Sequence, residues 1–189
     1  MSSIPEQFSE DQKKLLLDVA RAAVREGIEG KHMEPDPQQF AEPLRRPGAS
    51  FVTLKKSGQL RGCIGTLEAH QPLVTDIAHN AYSAAFRDSR FNGVQPSELD
   101  DLEFELSILS EPEPMPVKSE ADLLSHLRPN VDGLILQEGY RRSTFLPAVW
   151  ESLGDPAEFV KHLKLKAGLP ADYWSDTIRL SRYTAEHIP

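Results

Sequence analysis

Phe51-Val52-Thr53-Leu54-Lys55-Lys56, then Ser57-Gly58, then Gln59-Leu60-Arg61-Gly62-Cys63-Ile64-Gly65-Thr66 is the stretch on which the chain turns. The first run has the composition of a strand, and Ser57-Gly58 is a turn signal. The second run, through Glu68, reads as a strand that folds back on the first, giving a hairpin. Side chains alternate across a sheet. Leu60, Gly62, Ile64 and Thr66 are therefore expected on one face, and Arg61, Cys63, Gly65 and Leu67 on the other. Strand interiors avoid glycine, which packs nothing and costs backbone entropy. Two glycines around the only cysteine of the chain therefore need a reason. Either they leave room for a ligand beside the thiol, or they mark a bulge or the close crossing of a helix. Arg61 stands roughly 7 Å along the strand from Cys63, and a nearby guanidinium favours thiolate over thiol. The opposing reading is a buried cysteine acting as a small hydrophobe.

Upstream, Ser9-Glu10-Asp11-Gln12 is a capping box. Leu15, Leu16, Val19, Ala20, Ala23, Val24 and Ile28 recur at helical spacing behind it, so residues 10–29 are expected to form an amphipathic helix that stops at Gly30. Lys31 to Ser50 carries Pro35, Pro37, Pro43 and Pro47 and is read as a long irregular connection. Downstream, Pro72 opens an alanine-rich helix to about Phe86, with Asp76, Asn80, Ser83 and Arg87 along one face. Leu102–Ser110 alternates as a strand with one packed face. A short helix is expected at 120–127, a second hairpin at 133–137 and 141–146, a helix opened by Pro147, another at about 156–167, and a last strand at 177–183. Strands paired in hairpins, without regular β-α-β alternation, give an α+β class with a largely antiparallel sheet.

The chain has 189 residues, 39% hydrophobic and 26% charged, which suits a globular protein of one domain, or of one domain with a small lobe. A net charge of −8 without a Lys/Arg block weighs against nucleic acid as a partner. One cysteine precludes an internal disulfide and agrees with a reducing cytoplasm. No run approaches a membrane span, and the acidic first twenty residues do not read as a secretory leader.

Other candidate chemistry is sparser. Glu103 and Glu105 share a strand face, where paired carboxylates do acid–base work or are simply solvated. Arg87, Arg90, Arg141 and Arg142 offer guanidinium groups to an anion. Trp150 is a core residue or a pocket wall. The six histidines include no i, i+4 pair, and with one cysteine no metal set is expected.

The heptad Leu60–Thr66 resembles the signature of the AMMECR-type family. Phe51–Lys56, Asn80-Ala81 with Ala84-Ala85-Phe86, Asp88 with Arg90-Phe91, Asp132-Gly133-Leu134, Thr144–Pro147 with Val149-Trp150-Glu151, and Lys166–Leu169 fall in the same order. The likeness runs from about Leu15 to Tyr183, so residues 1–189 are read as a single domain of that type. The resemblance implies a larger and a smaller lobe around a cleft, in a cytoplasmic prokaryotic protein. It also implies proximity to a Memo-like or radical-SAM protein of a modification pathway. It supplies no reaction and no cofactor. It marks Arg61, Gly62, Cys63, Gly65, Asn80, Arg90 and Trp150 as motif positions. With Thr66 and Glu105 these make the candidate site, Cys63 and Arg61 as catalytic groups and the others as ligand-binding. The expected activity is that of a small-molecule or modification-pathway enzyme; the alternative is a non-catalytic adaptor. Two departures stand out: Asn92-Gly93 replaces the usual prolines after Phe91, and Ala148 replaces the usual glutamine before Val149.

Overall fold

The structure, a computed structural model, describes residues 7–189; the segment carrying Glu6 lies outside them. The chain divides into two compact units, one up to Leu109 together with Glu186–Pro189, the other Ser110–Ala185.

In the first unit, α1 spans Glu10–Ile28 and starts on the full Ser9/Gln12 capping box. A 3₁₀ turn at Pro37–Gln39 and the short α2, Glu42–Arg45, follow. The sheet is built from β1 (Pro47–Lys56), β2 (Gln59–Gly65), β4 (Leu102–Leu109) and β9 (Ala185–Ile188), in the order β2-β1-β4-β9. The two-residue β3, Gln71–Pro72, pairs with the first residues of β1. Both central residues of the β1–β2 turn have positive φ, 53° at Ser57 and 74° at Gly58, as a type I′ hairpin requires. Helix α3, Leu73–Phe86, packs on β1 and β2, and α1 packs on α3 and β4. One sheet face, carrying Val52, Leu54, Phe104, Leu106 and Ile108, is thereby buried against Leu16, Ala20, Ile77 and Ala81. Burying side chains of this size against water contributes about 1.5–3 kcal/mol each.

In the second unit, β5 (Glu113–Pro114), α4 (Glu120–His126), β6 (Gly133–Glu138), β7 (Arg141–Phe145), α5 (Pro156–Lys166) and β8 (Arg179–Tyr183) follow in sequence. Its sheet has the order β5-β8-β6-β7 and is antiparallel. Leu134 and Leu136 of β6, Leu123, Val160, Leu163 and Leu180 surround the stacked rings of Trp150 and Phe159, whose centroids are 3.9 Å apart.

The expected α+β class with antiparallel hairpins is what the chain adopts. Some boundaries differ. β1 begins at Pro47 rather than Phe51, because Pro47 needs no ladder donor at the first strand position and Ala49 and Ser50 pair with Leu109 and Ile108. The stretch 31–50 is therefore not wholly irregular. β2 stops at Gly65 rather than Glu68. The short strands β5 and β9, which carry too few residues for a periodic signal, join the sheets at their edges.

Candidate functional site

The decisive detail is a single extra residue. From the Ser57-Gly58 turn, Lys56 pairs with Gln59 and Lys55 with Leu60, but Leu54 then pairs with Gly62. Arg61 is the extra residue of a β-bulge. A one-residue shift reverses which face each later side chain occupies. Without the bulge Cys63 would lie opposite Val52, which is fully buried. With it, Cys63 lies opposite Thr53 on the sheet face turned away from α1 and α3. There the thiol is only partly buried, 3.3 Å from the Thr53 hydroxyl.

The same shift carries Gly62 to the helix side. A Cβ at Gly62 would overlap the Ala84 carbonyl oxygen of α3, and one at Gly65 would overlap the Phe51 ring. The glycines are accounted for by these close approaches, one to helix backbone and one to a ring, rather than by space left for a ligand.

Two clasps fix the bulged strand. Arg61 does not reach toward the thiol. Its Nε and Nη2 both donate to Glu98 at 3.1 Å, where Lys56 also donates at 3.2 Å. Arg61 first, then the Gln95 amide, lower the Glu98 carboxyl to about 2. The second clasp is Asp88, a buried carboxylate in the turn after α3. Its Oδ2 accepts from the Cys63 amide at 3.0 Å and from Arg90 Nη2 at 2.7 Å. Its Oδ1 accepts from the Arg90 amide and Nε. The Arg90 guanidinium holds the Asp88 carboxyl well below the usual carboxylate range, with the Cys63 and Arg90 amides adding to the effect. β2 is the edge strand of its sheet, so Asp88 satisfies an amide that no strand covers. Phe91 lies beside both arginines, its ring centroid 5.9 Å from Arg61 and 5.5 Å from Arg90.

A third network lies on the helix side. Asp76, buried in α3, accepts from the Ser50 amide at 2.9 Å, the Ser50 hydroxyl at 2.6 Å, Thr66 at 2.8 Å and Asn80 at 3.1 Å. Asn80 also donates to the Ser50 carbonyl at 3.0 Å. Thr66 and Asn80 thus tie the end of β2 and the start of β1 to α3.

Of the residues singled out from sequence, Cys63 and Glu105 share the outer sheet face. Glu105 lies opposite Thr53 on the other side of β1, so Cys63, Thr53 and Glu105 form one row across three strands. Glu105 accepts from Lys55 Nζ at 2.6 Å, which raises the lysine pKa. Gly62, Thr66 and Asn80 belong to the helix side. Trp150 belongs to the core of the other unit, where its indole donates to the Asp132 carbonyl at 2.7 Å. Thr53, Asp88, Glu98 and Asp76 do most to position the thiol strand and were not singled out as site residues. Asp88 had a signal, since it stands two residues before Arg90 in a polar turn. Among the described residues no three His, Cys, Asp or Glu side chains come together as a metal-ligating group.

The AMMECR1 family model matches residues 17–188. A protein of Methanothermobacter thermautotrophicus is 41% identical over 181 residues, covering 95% of this chain and 94% of its own. One of Thermotoga maritima is 42% identical over 159 residues, covering 83% and 86%. The crystal structure of an uncharacterised protein from Pyrococcus horikoshii superposes with a TM-score of 0.82 at 31% identity, covering 96% of this chain and 93% of that one.

Proposed function

The chain belongs to the AMMECR1 family, and on that premise we propose that it is a cytoplasmic small-molecule or modification-pathway enzyme in which Cys63 is the nucleophile. The single observation that supports this is the bulge at Arg61, which turns the only cysteine out of the core and seats its sulfur 3.3 Å from Thr53. A purely packed cysteine needs no such device. In this reading Thr53 shares a hydrogen bond with the thiol, and the Lys55–Glu105 pair supplies charge on the same face. Arg61 and Arg90 are positioning residues: one anchors the bulge through Glu98, the other holds Asp88 against the Cys63 amide. Gly62, Gly65, Thr66 and Asn80 set the seating of the strand rather than touching substrate. In this reading residues 1–189 act as one domain of the family, which is supported by a family match, residues 17–188, that reaches into both units. Among the described residues no helix is long and apolar enough to cross a membrane.

The test is the rate of Cys63 alkylation by iodoacetamide against pH, compared with a peptide of residues 58–68. An enzyme nucleophile reacts in the folded chain at least as fast as in the peptide below pH about 8, where the free thiol is mostly protonated. A Cys63→Ser chain then loses cellular function. A thiol inert in the folded state, or a Cys63→Ser chain with full function, removes the nucleophile. The adaptor reading, docking to a Memo-like or radical-SAM neighbour, would gain from a complex that survives Cys63→Ser and is lost on deletion of residues 31–45.

A further inference from the structure

A groove of about 230 Å³ opens in the first unit between α3 and the segment that follows α1. It is separate from the Cys63 face. His32, Glu34, His79, Tyr82, Ser83 and Arg87 line it. His79 and Ser83 are spaced four residues apart on one face of α3, and Arg87, four residues further on, is the C-cap of that helix. The rings are fixed by mutual contact: the His32 and Tyr82 centroids are 4.2 Å apart, and the Tyr82 and Phe86 centroids 5.0 Å apart.

Among the described residues the carboxylate and the guanidinium of the groove are not paired with each other. Its carboxylate, Glu34, is taken by His79, with Oε1 2.8 Å from Nε2. The Arg87 guanidinium rests 5.3 Å from the Tyr82 ring centroid and meets no carboxylate among the described residues. Its backbone amide is spent on the Ser83 carbonyl, and among the described residues its guanidinium, resting on the Tyr82 ring, donates to no acceptor. One turn before it, the Ser83 hydroxyl offers a further donor. A guanidinium fork beside a hydroxyl is matched by the two or three oxygens of an oxyanion, which takes paired hydrogen bonds from arginine. The His32 and Tyr82 rings offer an apolar surface to the remainder of such a molecule. The volume is below that of pockets holding drug-sized ligands, so the occupant is small.

We propose that this groove binds the carboxylate or phosphate group of a small molecule, with Arg87 and Ser83 as the anion-holding residues and His32 and Tyr82 as the wall for its body. The proposal does not depend on Cys63 chemistry.

The test is a titration of the ¹⁵N-labelled full chain with inorganic phosphate and, separately, with acetate, at constant ionic strength. The expected result is saturable shifts confined to residues 32–34 and 79–87 and to the Arg87 side-chain Nε, with a Kd on the order of 1 mM for at least one anion. Arg87 is exposed, and Arg87→Gln keeps the rest of the spectrum while weakening binding by about fivefold or more. Saturation by phosphate alone identifies a phosphate ligand, and saturation by acetate alone a carboxylate. Shifts that do not saturate, that spread evenly over exposed lysines and arginines, or that persist unchanged in Arg87→Gln overturn the proposal.

Discussion

Replacing Gly62 by alanine puts a methyl group where the Ala84 carbonyl oxygen of α3 already sits. The obstacle is helix backbone, and α3 cannot retreat freely, because Ile77, Ala81 and Ala85 pack it into the core. Restoring an ordinary carbon–oxygen contact requires a shift of about 1 Å between β2 and α3, in an interior packed as densely as an organic crystal. Overpacking of this kind costs about 1–3 kcal/mol, and the rigid obstacle places Gly62→Ala at the upper end. Alanine also restricts the unfolded chain, which returns only about 0.4–1 kcal/mol. The net expectation is a loss of about 2 kcal/mol, or about 4–8 °C in Tm for a chain of this size. Two companions sharpen the measurement. At Gly65 the obstacle is the Phe51 ring, a side chain on the open face that can rotate, so Gly65→Ala costs less, about 1 kcal/mol. At Gly93 a methyl would make an ordinary contact with Phe86, so Gly93→Ala stays within about 0.5 kcal/mol. Urea denaturation at pH 7 reads all three. A Gly62→Ala chain as stable as the parent would refute the close crossing of β2 and α3 and, with it, the placement of Gly62 on the helix side.

Three further outcomes follow from the clasps and the cores. The Glu98 carboxyl is lowered to about 2 and Arg90 holds the Asp88 carboxyl well below the usual range, so both stabilise the fold above the ordinary carboxylate range. That contribution is lost as pH falls through the folded values; stability of the parent chain therefore declines from about pH 4.5 downward, while Asp88→Asn and Glu98→Gln chains start lower at pH 7 and show a flatter acid limb. Asp76→Ala leaves the Ser50 amide and hydroxyl without their buried acceptor and takes one acceptor from the Asn80 amide, and equilibrium unfolding should register a loss of about 3 kcal/mol. Trp150→Phe forfeits the indole bond to Asp132 and part of the Phe159 stack, costing about 1–2 kcal/mol, but leaves the native labelling rate of Cys63 unchanged; a large change in that rate would return Trp150 to the site.

Much of this architecture is legible in sequence because it rests on local rules. Ser9 and Gln12 cap α1 by reciprocal hydrogen bonds, and Leu102, Phe104, Leu106 and Ile108 alternate into one buried face. The Ser57-Gly58 turn also sets the hairpin as read. The candidate site was less legible for a specific reason. Counting pairs from that turn puts Cys63 opposite Val52, in the core, and nothing local announces that Arg61 is skipped. The skip is secured by Glu98, 37 residues away, and by α3 pressing on Gly62. Both are tertiary facts. The glycines read correctly as a signal, but close approach, not ligand space, was their cause. Asp76 looked like part of a polar helix face because helical spacing does not say which polar stripe is wet; here Ser50, Thr66 and Asn80 make a buried carboxylate tolerable.

The Arg61 bulge turns Cys63 onto the outer face of the sheet. This placement is tested most directly by measuring the Cys63 alkylation rate at pH 8 across low urea concentrations, below the onset of unfolding. A thiol already on the outer face reacts through the native state, at a rate nearly independent of urea. A thiol sealed opposite Val52 would react only through opening of the fold, at a rate that climbs steeply with urea in step with global stability, and that result would contradict the account.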